Sequence, residues 1–458
     1  MTRTADVAVI GAGIAGVSAA YHLTAAGVGR VALIDERPPL SLTSDKSTEC
    51  YRNWWPGPGD AMVALMNRSI DLLEQVADQT GNRINLNRRG YLFATADPDR
   101  VRRFQDAAEE SASLGAGTLR VHRGRPDDPP YRPAPPAGFH DQPSGADLIT
   151  DPALIRRHFP YLSERTTAVL HARRCGWFSG HQLGSYLLEE ARRRGAELIE
   201  ARVDGVDLSQ GGVRGLKLAN VSGYDRLEVG SAVIAAGPLL EKVAGLFGVS
   251  LPVYAELHAK AAMPDPLGVV PREAPLLIWS DPQTLPWNEE ERTALHESAE
   301  TAWMVEGMPA GVHLRPEGSG ESSVLLTLWT YDTRVQEPLF PLRFDPHYAE
   351  ITLRGMSVMI PGLRRYFGRQ PRTIVDGGYY LKTRENRPLV GPLPVKGAYV
   401  LGALSGFGLM AGMACGELLA AHVTGTTLPG YASAFRLERY EDPAYVRLME
   451  ESMSGGQL

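Results

Sequence analysis

The sequence has few cysteines and no surplus of positive charge. Its three cysteines, Cys50, Cys175 and Cys415, lie far apart, with no CxxC pair and no neighbouring histidine pair. This pattern excludes a disulfide scaffold and gives no zinc-ligand spacing. Lys and Arg total 47 against 53 Asp and Glu, a formal charge of -6, so the chain lacks the basic field that nucleic-acid binding requires. We therefore expect no nucleic acid among its partners.

Long hydrophobic runs are also missing. No segment approaches the roughly 18 uncharged apolar residues of a membrane span. The first apolar segment, 7–17, is broken by three glycines and lacks a basic leader with a small-residue cleavage site. Hydrophobic residues make up 43% and charged residues 22% of the 458, a balance that excludes disorder as the main state. We expect a cytoplasmic protein without a membrane span, large enough for two or three domains.

The N-terminus carries the pattern of a dinucleotide-binding βαβ unit. An apolar strand at 6–10 leads into a glycine-rich turn and a helical stretch, and a second apolar strand ends in Asp35 and Glu36. Spaced glycines allow a tight turn, a close approach to pyrophosphate, and packing of the helix on the strand. The helix N-terminus favours phosphate. We assign the ribose-binding acid to Asp35, with Glu36 as the alternative. The predicted binding residues of the turn are Gly11, Ala12, Gly13, Ile14, Ala15 and Gly16.

The rest of the chain alternates between αβ segments and a β-rich stretch. Helical patterns occupy 62–80, 183–194 and 409–423, whereas 123–145 is a proline-rich extended loop. The stretch 251–373 has strand candidates rich in aromatic and β-branched residues and a charged helical insert at 289–301. We predict a two-domain α/β (α+β) protein with a Rossmann-like domain interleaved with a β-rich substrate-binding domain. The predicted ranges are 1–88, 147–250 and 374–458 for the first, and 89–146 and 251–373 for the second.

Three further segments join the N-terminal motif VAVIGAGIAGVSAAYHLTAAG in a fixed order. They are TSDKSTECYRNWWPG at 43–57, GWFSGHQLGSYLLEEARRRGAELIEARVDGV at 176–206 followed by AVIAAGPL, and TRENRPLVGPLPVKGAYVLGALSGFGLMAGMACGELLAAHVTG at 383–425. Together they cover nearly the whole chain. The chain resembles the D-amino acid oxidase superfamily of FAD enzymes, in the branch of monomeric sarcosine oxidase, glycine oxidase and dimethylglycine dehydrogenase.

The resemblance implies FAD as the cofactor and a small amine or amino acid as the substrate. The expected reaction is oxidation of a C–N bond by hydride transfer to flavin N5, followed by hydrolysis of the imine. The helix that begins near Leu409 would direct its N-terminus at the flavin and stabilise negative charge there. The cofactor-binding residues implied beyond the first turn are Ser44, Lys46, Ser47, Thr48, Val203, Ala236, Gly237, Gly406, Phe407, Gly408, Leu409 and Met410.

Three residues are implied at the substrate side, Arg52, Lys46 and Tyr380. The guanidinium of Arg52 could clamp a substrate carboxylate with two parallel hydrogen bonds. The alternative is that Arg52 pairs with an acid of the fold, such as Glu49. Tyr380 precedes the last flavin-binding segment and could face the ring.

Departures from the family pattern affect cofactor attachment and the electron acceptor. Relatives attach flavin through a cysteine whose place falls on Gly378, or through a histidine that matches Cys50, so we expect non-covalent FAD. Several relatives carry a lysine where this chain has Met410. Lys46 and Lys260 are possible substitutes, so reoxidation by O2 or by an electron carrier remains open.

Three alternative functions make different demands on the sequence. A flavin-bearing subunit of a larger amine oxidase or dehydrogenase complex shares the same motifs. A tRNA-modifying flavoenzyme of the same superfamily would be expected to show a basic surface or a fused methyltransferase domain. A disulfide reductase would need a second GxGxxG motif and a CxxC pair, and neither is in the sequence. The sequence does not identify the amine or the oligomeric state.

Overall fold

Two large β-sheets organise the chain, and the cavity described below lies between them. The computed structural model describes residues 3–220, 223–318 and 322–452. In the first sheet, the order β10-β11-β12-β1-β2-β9 is extended by β21 beside β12 and β20 beside β21. Strands β9, β2, β1, β12 and β21 run parallel, as in a dinucleotide-binding domain. Its strands are β1 (Arg3–Ile10), β2 (Val31–Asp35), β9 (Glu197–Glu200), β10 (Arg202–Ser209), β11 (Gly212–Asn220), β12 (Gly223–Ile234), β20 (Leu389–Pro392) and β21 (Ala398–Gly402).

The second sheet has the order β19-β13-β18-β17-β14-β4-β7-β6-β5 and is mostly antiparallel. Its strands are β4 (Tyr91–Thr95), β5 (Leu119–His122), β6 (Ala146–Ile149), β7 (Ala168–Ala172), β13 (Val253–Pro264), β14 (Leu276–Trp279), β17 (His313–Pro316), β18 (Val324–Leu328) and β19 (Ile374–Thr383). Two short ladders join β3 (Cys50–Arg52) to β8 (Cys175–Trp177) and β15 (Gln283–Thr284) to β16 (Gly307–Met308).

Helices of small and apolar residues cover the first sheet. The α-helices are α1 (Ile14–Ala25), α2 (Ala61–Gln79), α3 (Arg100–Ser111), α4 (Pro152–His158), α5 (Gly180–Arg193), α6 (Leu240–Leu246), α7 (Glu289–His296), α8 (Tyr348–Met359), α9 (Gly408–Thr424) and α10 (Pro443–Ser452). Helices α1 and α9 lie so close together that a Cβ on Gly416 would be 2.3 Å from Oγ of Ser18. The same hydroxyl donates to the carbonyl of Gly412 at 2.7 Å. Small residues at this contact therefore allow α1 and α9 to pack side by side on the first sheet.

The predicted α/β class and the Rossmann-like first sheet are confirmed. Sheet membership differs from the sequence ranges at three strands. Strands β7 and β19, and all but the first residue of β6, lie in ranges assigned to the first domain but belong to the second sheet. After α5, the chain passes through Ala201 from β9, which pairs in parallel with β2, to β10, which pairs antiparallel with β11. The charged insert forms α7 and then a 3-10 turn at Ala302–Val305. Within the described ranges, none of the helices combines the length and hydrophobicity of a membrane span.

Candidate active site

A cavity with about 1300 Å³ of empty space, part of it open to solvent, lies at the carboxyl ends of β1, β2 and β12. Its opposite wall comes from β19 of the second sheet, through Tyr379, Tyr380 and Leu381. Ligands of open parallel sheets bind at this edge of the sheet. The cavity therefore lies where the N-terminal motif predicts a dinucleotide.

The glycine-rich turn after β1 is closely packed. Gly11 has φ +107°, and a Cβ there would lie 2.5 Å from the carbonyl oxygen of Ala235. A Cβ on Gly16 would lie 1.8 Å from the carbonyl oxygen of Gly11. Only glycine fits these two positions without moving backbone. Helix α1 begins just after Gly13, so its first turn presents N–H groups that lack intrahelical acceptors beside the cavity.

Asp35 and Glu36 both line the cavity, but their environments differ. The carboxylate of Asp35 accepts hydrogen bonds from the backbone N–H groups of Ala12, at 2.7 Å, and Arg37, at 2.9 Å. Glu36 is exposed, and its Oε2 lies 3.8 Å from Nη1 of Arg202. Asp35 is thus tied to the glycine-rich turn, whereas Glu36 points along the outer rim.

A second turn, between β21 and α9, forms the other end of the cavity. Ala403 and Ser405 have positive φ values of 52° and 45°, and the N–H of Ser405 donates to the carbonyl of Leu381 at 2.9 Å. A Cβ on Gly406 would lie 2.3 Å from Cε2 of Tyr380, so the turn and this ring are in direct contact. The N-terminus of α9, at Gly408, therefore opens on the cavity.

The loop before β3 is fixed by cations of the second sheet. The carbonyl of Ser47 accepts from Nζ of Lys260 at 3.0 Å, and the carbonyl of Thr48 accepts from Nε and Nη2 of Arg315 at 2.9 and 2.7 Å. Burial lowers the pKa of the Lys260 ammonium. Nζ of Lys46 lies 2.8 Å from Asp45 and 3.0 Å from Asp376. Lys46 does not line the cavity, so the structure places it in an ion-pair cluster behind the loop.

Arg52 lies on β3, directly beyond this loop. Its guanidinium carbon is 4.9 Å from the centre of the Trp55 ring, and burial lowers its pKa. Arg52 and Cys50 are two residues apart on a strand, so their side chains share one face. Neither Arg52 nor Cys50 is among the residues that line the cavity, and Ser47 is the lining residue that precedes them along the chain. Glu49, the alternative partner, accepts from the N–H of Gly180 at 2.7 Å and lies 3.7 Å from Arg315.

Tyr380 is held by a buried polar cluster on β13. Its ring stacks on His258, with centroids 3.9 Å apart and planes at 12°. Nε2 of His258 lies 2.9 Å from Glu256, and Nδ1 lies 3.1 Å from the hydroxyl of Thr330. Burial raises the pKa of the Tyr380 phenol to about 12, so it is neutral at ordinary pH. Sequence reasoning missed Glu256 and His258. The only signal was their polar alternation with Lys260 along one strand.

The predicted cofactor-binding residues divide into two groups. Those that line the cavity, together with Tyr380, are Gly11, Gly13, Ile14, Ala15, Asp35, Glu36, Ser44, Ser47, Val203, Ala236, Gly237, Gly406, Gly408 and Leu409. Those that do not are Ala12, Gly16, Lys46, Thr48, Phe407 and Met410.

The second group mostly supports the cavity from behind. Phe407 packs edge-on against Trp55 with ring centres 5.3 Å apart, and the buried Met410 accepts a hydrogen bond from Ser69 through its carbonyl. The cavity also includes Arg37 and Arg202, which no motif indicated.

These features fit a flavin adenine dinucleotide. The turn at Gly11 leaves a space beside the backbone that any Cβ would fill, and β2 ends at an acidic residue, Asp35. Moreover, a second helix N-terminus lies at the far end of the same cavity. The family comparison gives the same result, since the model of the DAO family, FAD dependent oxidoreductase, matches residues 6–422. The chain belongs to this family. It is therefore an FAD-dependent oxidoreductase, and the cofactor predicted from the sequence is confirmed.

Curated relatives of this oxidoreductase include dimethylglycine dehydrogenases. The mitochondrial enzyme of Rattus norvegicus is 25% identical over 328 residues, which are 67% of this chain and 33% of the relative. The mitochondrial enzyme of Homo sapiens is 25% identical over 248 residues, 52% of this chain and 25% of the relative. The aligned part thus spans a third or less of the length of these relatives.

Solved structures share the fold of the oxidoreductase over almost its whole length. L-proline dehydrogenase from P. horikoshii matches with a TM-score of 0.72 and 20% identity, covering 96% of this chain and 99% of that one. Glycine oxidase from Geobacillus kaustophilus matches with a TM-score of 0.70 and 16% identity, covering 95% of this chain and 99% of that one. Iminodiacetate oxidase from Chelativorans sp. BNC1 matches with a TM-score of 0.66 and 20% identity, covering 94% of this chain and 98% of that one. At these identities the likeness concerns the fold.

Proposed function

We propose that this oxidoreductase oxidises the C–N bond of an amino acid or an N-alkyl amino acid. The observation that carries the proposal is the place of Arg52, on the face of β3 that it shares with Cys50 and directly beyond the loop whose Ser44 and Ser47 line the cavity. The relatives support the same chemistry. Dimethylglycine, proline, glycine and iminodiacetate each carry a carboxylate one carbon away from the amine nitrogen.

The environment of Arg52 suits recognition of a carboxylate. Stacking on Trp55 restrains the plane of the guanidinium, and its planar fork matches two carboxylate oxygens. Removal from water strengthens the attraction between a cation and an anion. A substrate held by its carboxylate has its amine-bearing carbon at a fixed distance from the clamp. Arg52 would thus orient the C–H bond to be broken.

The cofactor-holding roles follow from the cavity walls. We assign the pyrophosphate to the first turn of α1 and Ser44, and the ribose to Asp35. Held by these residues, FAD would supply a hydride acceptor for the carbon beside the substrate nitrogen, and the imine so formed would be hydrolysed by water. The N-terminus of α9 at Gly408 supplies positive potential at the other end of the cavity. The neutral Tyr380 provides a flat wall there without adding charge.

We also propose that FAD is held without a covalent bond. Gly378 has no side chain, and a Cβ there would lie 3.2 Å from Cα of Thr43. The thiol of Cys50 donates to the carbonyl of Thr48 at 3.2 Å, and burial raises its pKa, so it is a poor nucleophile. Neither position that relatives use for attachment therefore offers an activated group.

The test is the Arg52→Lys variant, which keeps the charge but loses the planar fork. We expect about a 10- to 100-fold loss in kcat/KM on the best amino acid substrate, with normal FAD content. Bleaching of the flavin is followed anaerobically, which makes the measurement independent of the electron acceptor. The panel contains free and N-methyl amino acids, each beside the amine that lacks its carboxylate. FAD content is measured in the supernatant after acid precipitation, where non-covalent flavin is recovered.

Several outcomes would contradict these proposals. Equal activity of the wild type and Arg52→Lys on every active substrate would contradict the role of Arg52 as a carboxylate clamp. A best substrate without a carboxylate would contradict it as well. Loss of FAD from the variant would make Arg52 a scaffold residue. Flavin retained in the acid pellet would overturn the non-covalent proposal. Arg30→Lys is the matched control, because Arg30 is exposed and pairs with Asp6 at the far end of β1.

A further inference from the structure

The segment from Tyr331 to Asp345, between β18 and α8, lies at the rim of the cavity. The sequence ranges assign it to the substrate-binding domain. Its two ends are joined by a hydrogen bond from the Tyr331 hydroxyl to Asp345 at 3.0 Å. Near its middle, the N–H of Gln336 donates to the carbonyl of Ala255 at 2.9 Å, and Val335 pairs with Glu256 of β13. The segment is therefore a closed loop anchored to the second sheet.

Beyond this anchor, the loop reaches two residues that line the cavity, Tyr379 and Arg37. The Tyr379 hydroxyl accepts from the N–H of Leu339 at 3.0 Å and donates to its carbonyl at 3.2 Å. The Phe340 ring packs edge-on against Tyr379, with centroids 5.8 Å apart. The guanidinium carbon of Arg37 lies 5.5 Å from the centre of the Phe340 ring. Phe340 thus connects β19 of the second sheet to the end of β2 in the first.

Arg37 is next to the ribose-binding acid in space as well as in sequence. Its backbone N–H donates to Asp35 at 2.9 Å, and its side chain is exposed at the rim. An exposed arginine samples many rotamers in water, and ordering it costs free energy. A contact with the face of an aromatic ring offsets part of that cost, because the ring attracts the cation. Phe340 can therefore hold the positive charge of Arg37 beside the cavity.

We propose that Phe340 is a positioning residue for the cofactor, acting through Arg37. FAD carries negative charge on its pyrophosphate, and an ordered cation at the rim slows its escape. The loop 331–345 thereby serves the cofactor site, in addition to any role at the substrate. The proposal rests on the FAD cofactor of the family and is independent of the proposed substrate.

The test measures FAD release from the purified holoenzyme, without substrate. Free flavin that passes an ultrafiltration membrane is followed over time after dilution. Phe340→Ala should release FAD about 3- to 10-fold faster, the range for loss of one cation–aromatic contact. Phe340→Tyr keeps the aromatic face and should release at the wild-type rate. Leu339→Ala is the matched control, because this neighbouring side chain is 71% exposed and contacts Tyr379 through its backbone.

A double-mutant cycle shows whether Phe340 acts through Arg37. Arg37→Ala should release FAD at least as fast as Phe340→Ala, and adding Phe340→Ala to it should change little. Wild-type release from Phe340→Ala, or effects that add in the double variant, would overturn the proposal. Equal acceleration by Leu339→Ala would also overturn it, since that result reports general loosening of the loop. A negative result in the Arg52 experiment would not change the interpretation of these FAD-release measurements.

Discussion

At one end of the cavity, the groups that face it come from one short stretch of chain, whereas at the other end they come from distant segments. Gly11, Asp35 and Ser44 are supplied within 34 residues by β1, α1 and β2. Tyr380 of β19 and Gly406 of the turn before α9 line the same cavity as Ser47, although they lie more than 330 positions further along the chain. The first end depends on backbone geometry that glycine permits, and the second on side chains that distant strands support.

The largest effect is expected from Gly11→Ala, at the first end of the cavity. The left-handed backbone at φ +107° and the 2.5 Å approach to Ala235 leave no room for a methyl group. FAD affinity should fall by more than about 100-fold, since the turn must shift to accept the Cβ. The measurement is titration of the apoprotein with FAD. Gly27→Ala is the control, because it has φ +85° but no atom within 4 Å of a Cβ. Normal FAD affinity in Gly11→Ala would contradict this role of the glycine-rich turn.

A smaller effect is expected from Asp35→Ala, at the same end. The substitution removes a carboxylate that accepts from the N–H groups of Ala12 and Arg37, and that we assign to the ribose. FAD binding should weaken by about 1–3 kcal/mol, the range for losing a charged acceptor. Glu36→Ala should leave affinity within about twofold, because Glu36 is exposed. A large loss in Glu36→Ala with little change in Asp35→Ala would show that the other acid holds the ribose.

A third prediction concerns the stability of α1 behind the glycine-rich turn. His22 is 9% exposed, and burial lowers its pKa to about 4. Because its folded pKa lies below the unfolded value near 6.5, the unfolded chain binds the proton first, so stability falls as pH decreases from 6.5 to 4. At pH 5 this difference is worth about 2 kcal/mol.

The variant His22→Leu removes this titration. Its melting temperature should therefore fall less than that of the wild type between pH 7.5 and pH 5. His140→Leu, at a largely exposed imidazole, is the control. A wild-type drop in His22→Leu would show that other groups carry the acid sensitivity of this region.

Local sequence predicted the βαβ fold at the dinucleotide end, for a physical reason. The strand, glycine-rich turn, helix and second strand need only short-range contacts, and the glycines at 11 and 16 are required by the backbone itself. Sequence reasoning did less well at the second end. Lys46 was expected at the flavin, yet its ammonium lies in an ion-pair cluster with Asp45 and Asp376. Asp376 is about 330 positions away, so no local pattern could reveal this partner.

The sequence alone predicts the class of this protein, because the dinucleotide-binding βαβ unit occupies consecutive residues and the other segments typical of the family follow it in order. It also determined the cofactor, since FAD is shared by the whole family. Which side chains come together at the other end of the cavity depends on the tertiary packing. The stacking of His258 on Tyr380, and the contact of Phe340 with Arg37, join residues from different elements. Such contacts depend on how β13, β19 and the loop 331–345 pack together. That packing cannot be predicted from the residue types alone.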